Sequence, residues 1–369
     1  MVVKIARIET FTRNQVGIVR VTDEDGCQGV GQTAPYHADI TSMVLHQQVA
    51  PLALGRENGD IAALIDGIIE HEHKFPGSYV CRAAAGLDTA LWDLRGRREG
   101  VPVTALVGGV PGPVPVYGSS MRRDISPADE AERLSELRRQ DGYAAFKIRV
   151  GTPFGHDGDA WPGRTEAIIP TVRQALGDDV GLYADANSGF SPARAIEVGR
   201  MLEENGYAHY EEPCPYPELE WTKEVADALT IPVAGGEQDT SLSTWRRMVR
   251  MRAVDILQPD ICYIGGFARA LHVARMAEAS GMPCTPHAAN RSLITVFTLH
   301  LVAAIPNHGP YMEYSIESTA WTDDLFDPSL LTVQDGRVSV PAGPGWGVEI
   351  DPGWLRGAEH RESVHGRPS

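Results

Sequence analysis

Six acid/base side chains recur in this chain at a spacing that would bring them onto one catalytic rim. From Asp185 through Glu211, Glu237, Asp260 and His287 to Glu313, the intervals are 26, 26, 23, 27 and 26 residues. That is about the length of one strand, one helix and their loops, so each residue falls at the same height in successive units. Lys147 and Arg149 precede the series and share strand parity, so both side chains point the same way. Three of the acids, Asp185, Glu211 and Glu237, would stand on consecutive strands. Crowded carboxylates repel and raise one another's pKa unless a cation sits between them. Oxygen donors without Cys or His suit a hard ion, which favours Mg²⁺ over Zn²⁺. Any one of these acids alone reads more readily as a salt bridge at a barrel mouth; three in phase read as a metal site.

Asp260 and His287 follow on the next two strands. If adjacent, Asp260 accepts the Nδ1 proton of the imidazole, and the other nitrogen then faces the cavity as general base or acid. The bland alternative is a structural histidine capping a helix. Lys147 and Arg149 would hold a substrate carboxylate or neutralise the acids. Glu313, if protonated, would donate a hydrogen bond to the same substrate oxygens; its alternative is to hold another side chain in place. Together the set suits removal of the proton α to a carboxylate, because the metal and nearby cations stabilise the resulting enediolate.

Those residues need a scaffold that repeats. Residues 4–11, 16–22 and 27–31 alternate as three strands of a small antiparallel sheet, with Asp23-Glu24-Asp25-Gly26 as a turn. Helical stretches follow near residues 40–52, 60–73 and 79–97, the last with apolar Ala84, Leu87, Leu91 and Leu94 on one face. Gly108-Gly109 and the proline-rich stretch to Pro115 mark a boundary. Beyond it, eight short β-rich runs (114–117, 145–150, 181–184, 208–211, 233–235, 255–258, 284–286 and 311–313) alternate with amphipathic helices. Ser126-Pro127 and Ser191-Pro192 open two of these helices, and Gly142 and Gly206 close them. The expected fold is α/β: a (β/α)₈ TIM-type barrel, residues 113–315, with an N-terminal α+β capping domain, residues 1–112. Residues 316–369 would pack back on the cap. An open doubly wound sheet is the rival, but the chain has no GxGxxG or Walker-type loop to support it.

Composition narrows the partners. The chain has 369 residues, 43% of them hydrophobic, which is the make-up of a folded protein. Its net charge of −16, with no long Lys/Arg run, argues against nucleic acid and anionic membrane. The longest uncharged apolar stretch, residues 292–305, is too short to span a bilayer. The start, MVVKIARIETF, alternates like a strand rather than a signal peptide. Five scattered cysteines without a CxxC pair read as reduced thiols, so the expected location is the cytoplasm.

These motifs resemble the enolase superfamily over nearly the whole chain. The resemblance is carried by Gly86-Leu87-Asp88-Thr89-Ala90-Leu91-Trp92-Asp93-Leu94 with Gly108-Gly109, Lys147-Ile148-Arg149, Asp185-Ala186-Asn187 and Tyr210-Glu211-Glu212-Pro213. Gly236-Glu237, Gln258-Pro259-Asp260, Gly265-Gly266 and Pro344-Gly345-Trp346-Gly347 add to it. His287 paired with Asp260, and Glu313 on the last strand, look like the mandelate racemase type rather than the muconate-lactonising type. By that resemblance Asp185, Glu211 and Glu237 are Mg²⁺ ligands and His287 with Asp260 is the catalytic dyad. The loop from Thr33 to Ile40 would be a lid, with Tyr36, His37 and Asp39 as its most suggestive side chains and Asn187 as a further substrate contact. A homo-oligomer is also implied.

One departure is informative: the family pattern on that strand is Lys-x-Lys, whereas this chain has Arg149 at the second position. With a pKa near 13, arginine is a poor base at neutral pH. The resemblance therefore implies dehydration of a sugar acid, an aldonate or aldarate, to a 2-keto-3-deoxy acid, with His287 as the dependable acid/base. Lys147 as a second base would support the runner-up, a racemase, epimerase or lactone cycloisomerase. A non-catalytic metal and sugar-acid binding protein is the remote alternative.

Overall fold

The computed structural model describes residues 3–366. The N-terminal part holds β1 (Ile5–Arg13), β2 (Val16–Asp23), β3 (Gln28–Gln32), α1 (Ala38–Val44), α2 (Ala50–Ala53), α3 (Ile61–His71), α4 (Ser78–Glu99) and α5 (Val103–Leu106). A π-helical turn, Leu45–Val49, joins α1 to α2. The alternating part holds β4 (Pro113–Ser119), α6 (Pro127–Asp141), β5 (Ala145–Arg149), α7 (Arg164–Leu176), β6 (Gly181–Asp185), α8 (Pro192–Glu204) and β7 (His209–Glu211). It continues through α9 (Leu219–Ala228), β8 (Val233–Gly235), α10 (Leu242–Met251), β9 (Ile256–Leu257), α11 (Ile261–Ile264), α12 (Phe267–Ala279), α13 (Leu293–Val302) and β10 (Met312–Ser315). β11 (Arg337–Ser339), α14 (Pro352–Arg356) and β12 (Glu359–Val364) end the series.

Strands β4 to β10 form the parallel sheet expected of the barrel, in the order β10-β4-β5-β6-β7-β8-β9, with β11 antiparallel on β4. The run 284–286, expected as a strand, does not form one. Cys284 instead makes isolated bridges to Leu257 and His308. Pro283 just before the run and Pro286 at its end lack the N–H groups a ladder needs, so this stave is reduced to a bridge. The helix signals fare better: Ser126 and Ser191 accept hydrogen bonds from Asp129 N and Arg194 N, capping α6 and α8.

The smaller sheet runs β12-β1-β2-β3, all antiparallel, so its outer strand comes from the far end of the described chain. Helix α4 lies across it, its stretch from Val80 to Leu94 almost wholly buried. Gly31 makes that approach possible, because a Cβ there would stand 2.4 Å from Ala90 N and 2.6 Å from Gly86 O. The two acids of the Gly86–Leu94 motif then act as stitches. Asp88 accepts hydrogen bonds from Phe267 N and Ala268 N at the start of α12. Asp93 accepts from Val30 N, Trp346 N and the Arg97 guanidinium. A motif that reads as a family signature is thus the seam between the small sheet, the barrel and the C-terminal segment.

Candidate active site

The barrel strands deliver their acids at one level. Strand register sets Arg149 beside Asp185 and Asp185 beside Glu211, and Ser119 beside Lys147. Lys147, Asp185, Glu211 and Glu313 are completely buried. Burying that many charges is tolerable only if each finds an opposite partner, and the Lys147 ammonium supplies it. Its Nζ lies 2.5 Å from Glu211 Oε1, 2.7 Å from Glu313 Oε1 and 3.6 Å from Asp185 Oδ2. Arg149 is ion-paired with Asp185 and donates to Ser120 O and Asn187 Oδ1. Burial would raise Glu211, but Lys147 overrules it and holds the carboxyl well below its usual range. Gln258 Nε2 donates to the other oxygen of Glu211.

Glu237 is placed differently. Burial raises its pKa, with the Glu211 charge adding to the effect. Its Oε2 lies 3.3 Å from His287 Nε2. The opposite ring nitrogen, Nδ1, is 2.7 Å from Asp260 Oδ2. Asp260 Oδ1 meanwhile accepts from Cys262 N and Tyr263 N, capping α11, so the carboxylate is fixed at both oxygens. Burial alone would lower His287, but Glu237, Glu313 and Asp260 overcome it and raise the imidazole to about 10.

Glu313 accepts from Ser119 Oγ and Ala288 N as well as from Lys147. Burial is again outweighed, chiefly by Lys147 and His287, and the group is held at about 2. Every one of its neighbours is a donor. In this structure it is a carboxylate engaged by Lys147, Ser119 and Ala288.

Asn187 is engaged within the protein: its Oδ1 accepts from Arg149 and Arg123, and its Nδ2 donates to Asp185. Tyr36 and His37 sit side by side with φ of +67° and +48°, a sparsely populated conformation, in the segment that joins β3 to α1. Tyr36 is 53% exposed and meets Trp321 edge to face at 6.4 Å.

The donor set Asp185, Glu211 and Glu237 has the chemistry of a hard-cation site. As the side chains stand, however, no three His, Cys, Asp or Glu residues among the described residues are gathered around one point. Lys147 and Arg149 engage two of the acids, and Glu237 leans toward His287. Sequence reasoning missed Ser119 and Tyr263, and quoted Gln258 only as part of a motif without a site role. Gln258 and Tyr263 flank Asp260 closely in the chain, a signal that was available, whereas Ser119 touches Glu313 across 194 residues of chain.

Two family profiles cover this architecture. Residues 3–108 match the mandelate racemase/muconate lactonizing enzyme N-terminal domain, and residues 129–354 match the enolase C-terminal domain-like family. The chain belongs to the enolase superfamily, in its mandelate racemase/muconate lactonizing enzyme family. Among solved structures, a protein from Roseobacter denitrificans provisionally called a racemase is 56% identical, with a TM-score of 0.96 over 98% of this chain and 100% of that one. A mandelate racemase/muconate lactonizing protein from Paracoccus denitrificans, complexed with magnesium, is 29% identical, with a TM-score of 0.89 over 100% and 99% of the two chains. Arabinonate dehydratase of Saccharolobus solfataricus is 28% identical, covering 92% of this chain and 89% of its own. D-galactarolactone cycloisomerase of Agrobacterium fabrum is 32% identical, covering 73% and 71%. This membership explains the in-phase acids and the Gly86–Leu94 seam together, since both belong to one scaffold. No helix of the described residues is long and apolar enough to cross a membrane.

Proposed function

We propose that this protein is a Mg²⁺-dependent sugar-acid dehydratase that converts an aldonate or aldarate to a 2-keto-3-deoxy acid. The observation that carries the reading is the one-sided disposition of acid/base groups. His287 is the imidazole oriented by a carboxylate, while Lys147 is tied to Glu211 and Glu313 and Arg149 to Asp185. In this reading Asp185, Glu211 and Glu237 hold Mg²⁺, and the bound ion would offset charge developing on the substrate carboxylate. With Glu237 drawn to the ion, the charge that raises His287 would be offset and the imidazole would stand neutral; its Nε2 then takes the α-proton, and the C–H electron pair becomes the enediolate. The β-hydroxyl then leaves with the proton from the imidazolium as water, and the enol tautomerises to the ketone. One imidazole serving both steps requires proton and hydroxyl to depart from the same face. Arabinonate dehydratase among the relatives supports the reaction class. The partition into residues 1–112, 113–315 and 316–369, a homo-oligomeric state and a cytoplasmic location with reduced cysteines complete the reading; all five cysteines are free.

The test is a screen of aldonic and aldaric acids with Mg²⁺, reading keto acid as its semicarbazone. Keto acid from at least one acid, lost in His287→Asn, is the expected result. Turnover of none by the metal-loaded protein would overturn the reading. The relatives named for racemisation and cycloisomerisation favour a second reading, isomerisation at the same carbon. Solvent deuterium entering the α-carbon without keto acid would select it.

A further inference from the structure

Arg82 stands apart from the other arginines near the site. It projects from α4, the helix whose Asp88 and Asp93 stitch the two parts of the fold together. Its guanidinium carbon lies 3.7 Å from the centroid of the Tyr263 ring. Among the described residues it has no ion pair and its side chain donates no hydrogen bond, although it is half-buried. Arg149, Arg97 and Arg269 by contrast are all paired, with Asp185, Asp93 and Asp66. A guanidinium held against an aromatic face by cation–π attraction still has its N–H edge free in the ring plane, the geometry that takes a carboxylate with two parallel hydrogen bonds.

Tyr263 connects this cation to the acid/base residue. Its ring is buried and lies 6.0 Å from that of His287. Its backbone N–H is held by Asp260, the same carboxylate that orients the imidazole. Tyr263 thus has the Arg82 guanidinium on its ring face and His287 as a near neighbour, so a cation carried by the N-terminal part lies within reach of the acid/base residue. A substrate whose reacting carboxylate faces the acids and whose α-carbon faces His287 would bring its far end toward Arg82. The near end of the site balances one carboxylate with its own cations; the far end holds an unneutralised positive charge.

Resting on the dehydratase reading, we propose that Arg82 is the counter-ion for a second, distal carboxylate, so that the substrate is a diacid of the aldarate class rather than an aldonate. Tyr263 fixes the plane of the guanidinium, and Arg82 acts as a specificity residue, not as a participant in proton transfer. A monoacid leaves the half-buried guanidinium without an anionic partner, a loss that polar sites translate into discrimination.

The experiment compares four- to six-carbon aldarates with the matching aldonates on the Mg²⁺-loaded wild type, Arg82→Met and Arg82→Lys. The wild type is expected to favour diacids by at least about a hundredfold in kcat/KM. Arg82→Met should lose most of that preference through KM, with a deficit against diacids about thirtyfold larger than against monoacids, and Arg82→Lys should recover part of it. A purely structural role predicts equal losses for both classes, and that outcome, or equal use of both classes by the wild type, overturns the inference while leaving dehydration intact. If no acid is turned over, thermal-shift titrations with Mg²⁺ and each acid decide the matter. Stabilisation by diacids alone that Arg82→Met abolishes upholds the assignment; its absence overturns it.

Discussion

At the scale of single residues, the most consequential side chain after His287 is Asp260, because it does two jobs with two oxygens. Oδ2 receives the imidazole Nδ1 while Oδ1 caps α11. Asp260→Asn keeps an oxygen for the cap but turns an NH₂ group toward the ring, which disfavours the tautomer whose Nε2 is free to accept a proton. We expect kcat to fall by about 10² to 10⁴, with the melting temperature nearly unchanged. Asp260→Ala should show the same loss of rate and in addition a stability loss of about 1 kcal/mol from the vacated cap. A rate within tenfold of wild type in both variants would remove Asp260 from the machinery. The dyad was legible in the sequence because its two members sit at homologous positions 27 residues apart. The pairing of Lys147 with Glu313 was not, since it depends on the circular closure of the sheet and not on any local spacing.

At the scale of elements, the contact between β3 and α4 constrains where the loop to α1 begins. That loop leaves β3 at Thr33, and β3 is pressed against α4 at Gly31. A methyl group there would meet the backbone at Ala90 and Gly86, which cannot give way as a side chain can. Gly31→Ala is expected to destabilise the fold by about 3 kcal/mol, read as a lower urea midpoint at unchanged slope. An unchanged midpoint would mean that the helix yields. Periodicity located α4 and most barrel strands well, because long amphipathic or apolar runs report their own burial. It failed at 284–286, a short run with Pro283 before it and Pro286 inside it, and gave no hint of the π-helical turn at Leu45–Val49, whose extra residue is a matter of backbone packing.

At the scale of the whole molecule, the separate parts are held by a few buried polar junctions, and His300 shows how one responds to pH. Its Nδ1 accepts from Thr104 N in α5, and its Nε2 donates to Trp346 O in the C-terminal segment. That arrangement needs the neutral ring, and burial lowers its pKa to about 4. The unfolded chain takes up a proton near the ordinary value of about 6.5, so the stabilisation is complete above that value and is lost as pH falls toward 4. Asp88, raised by burial to about 8, pulls in the opposite direction over an overlapping range, so the wild-type curve alone mixes the two. His300→Gln isolates the histidine. The stability gap between wild type and variant should shrink by about 2.5 kcal/mol between pH of about 7.5 and 4.5 in chemical denaturation; a constant gap would show that His300 does not titrate with folding.

The pairing of β1 with β12 has a temporal consequence. Residues near position 9 must find partners near position 362 before the four-stranded sheet exists. During synthesis at about 5 to 20 residues per second, β1 therefore waits on the order of 20 to 70 seconds with one edge uncovered. The alternating strands, each meeting its neighbour after one helix, can assemble in that interval. A nascent chain would thus carry a nearly finished cylinder beneath an unfinished roof, its reactive rim exposed to water until the last strand emerges.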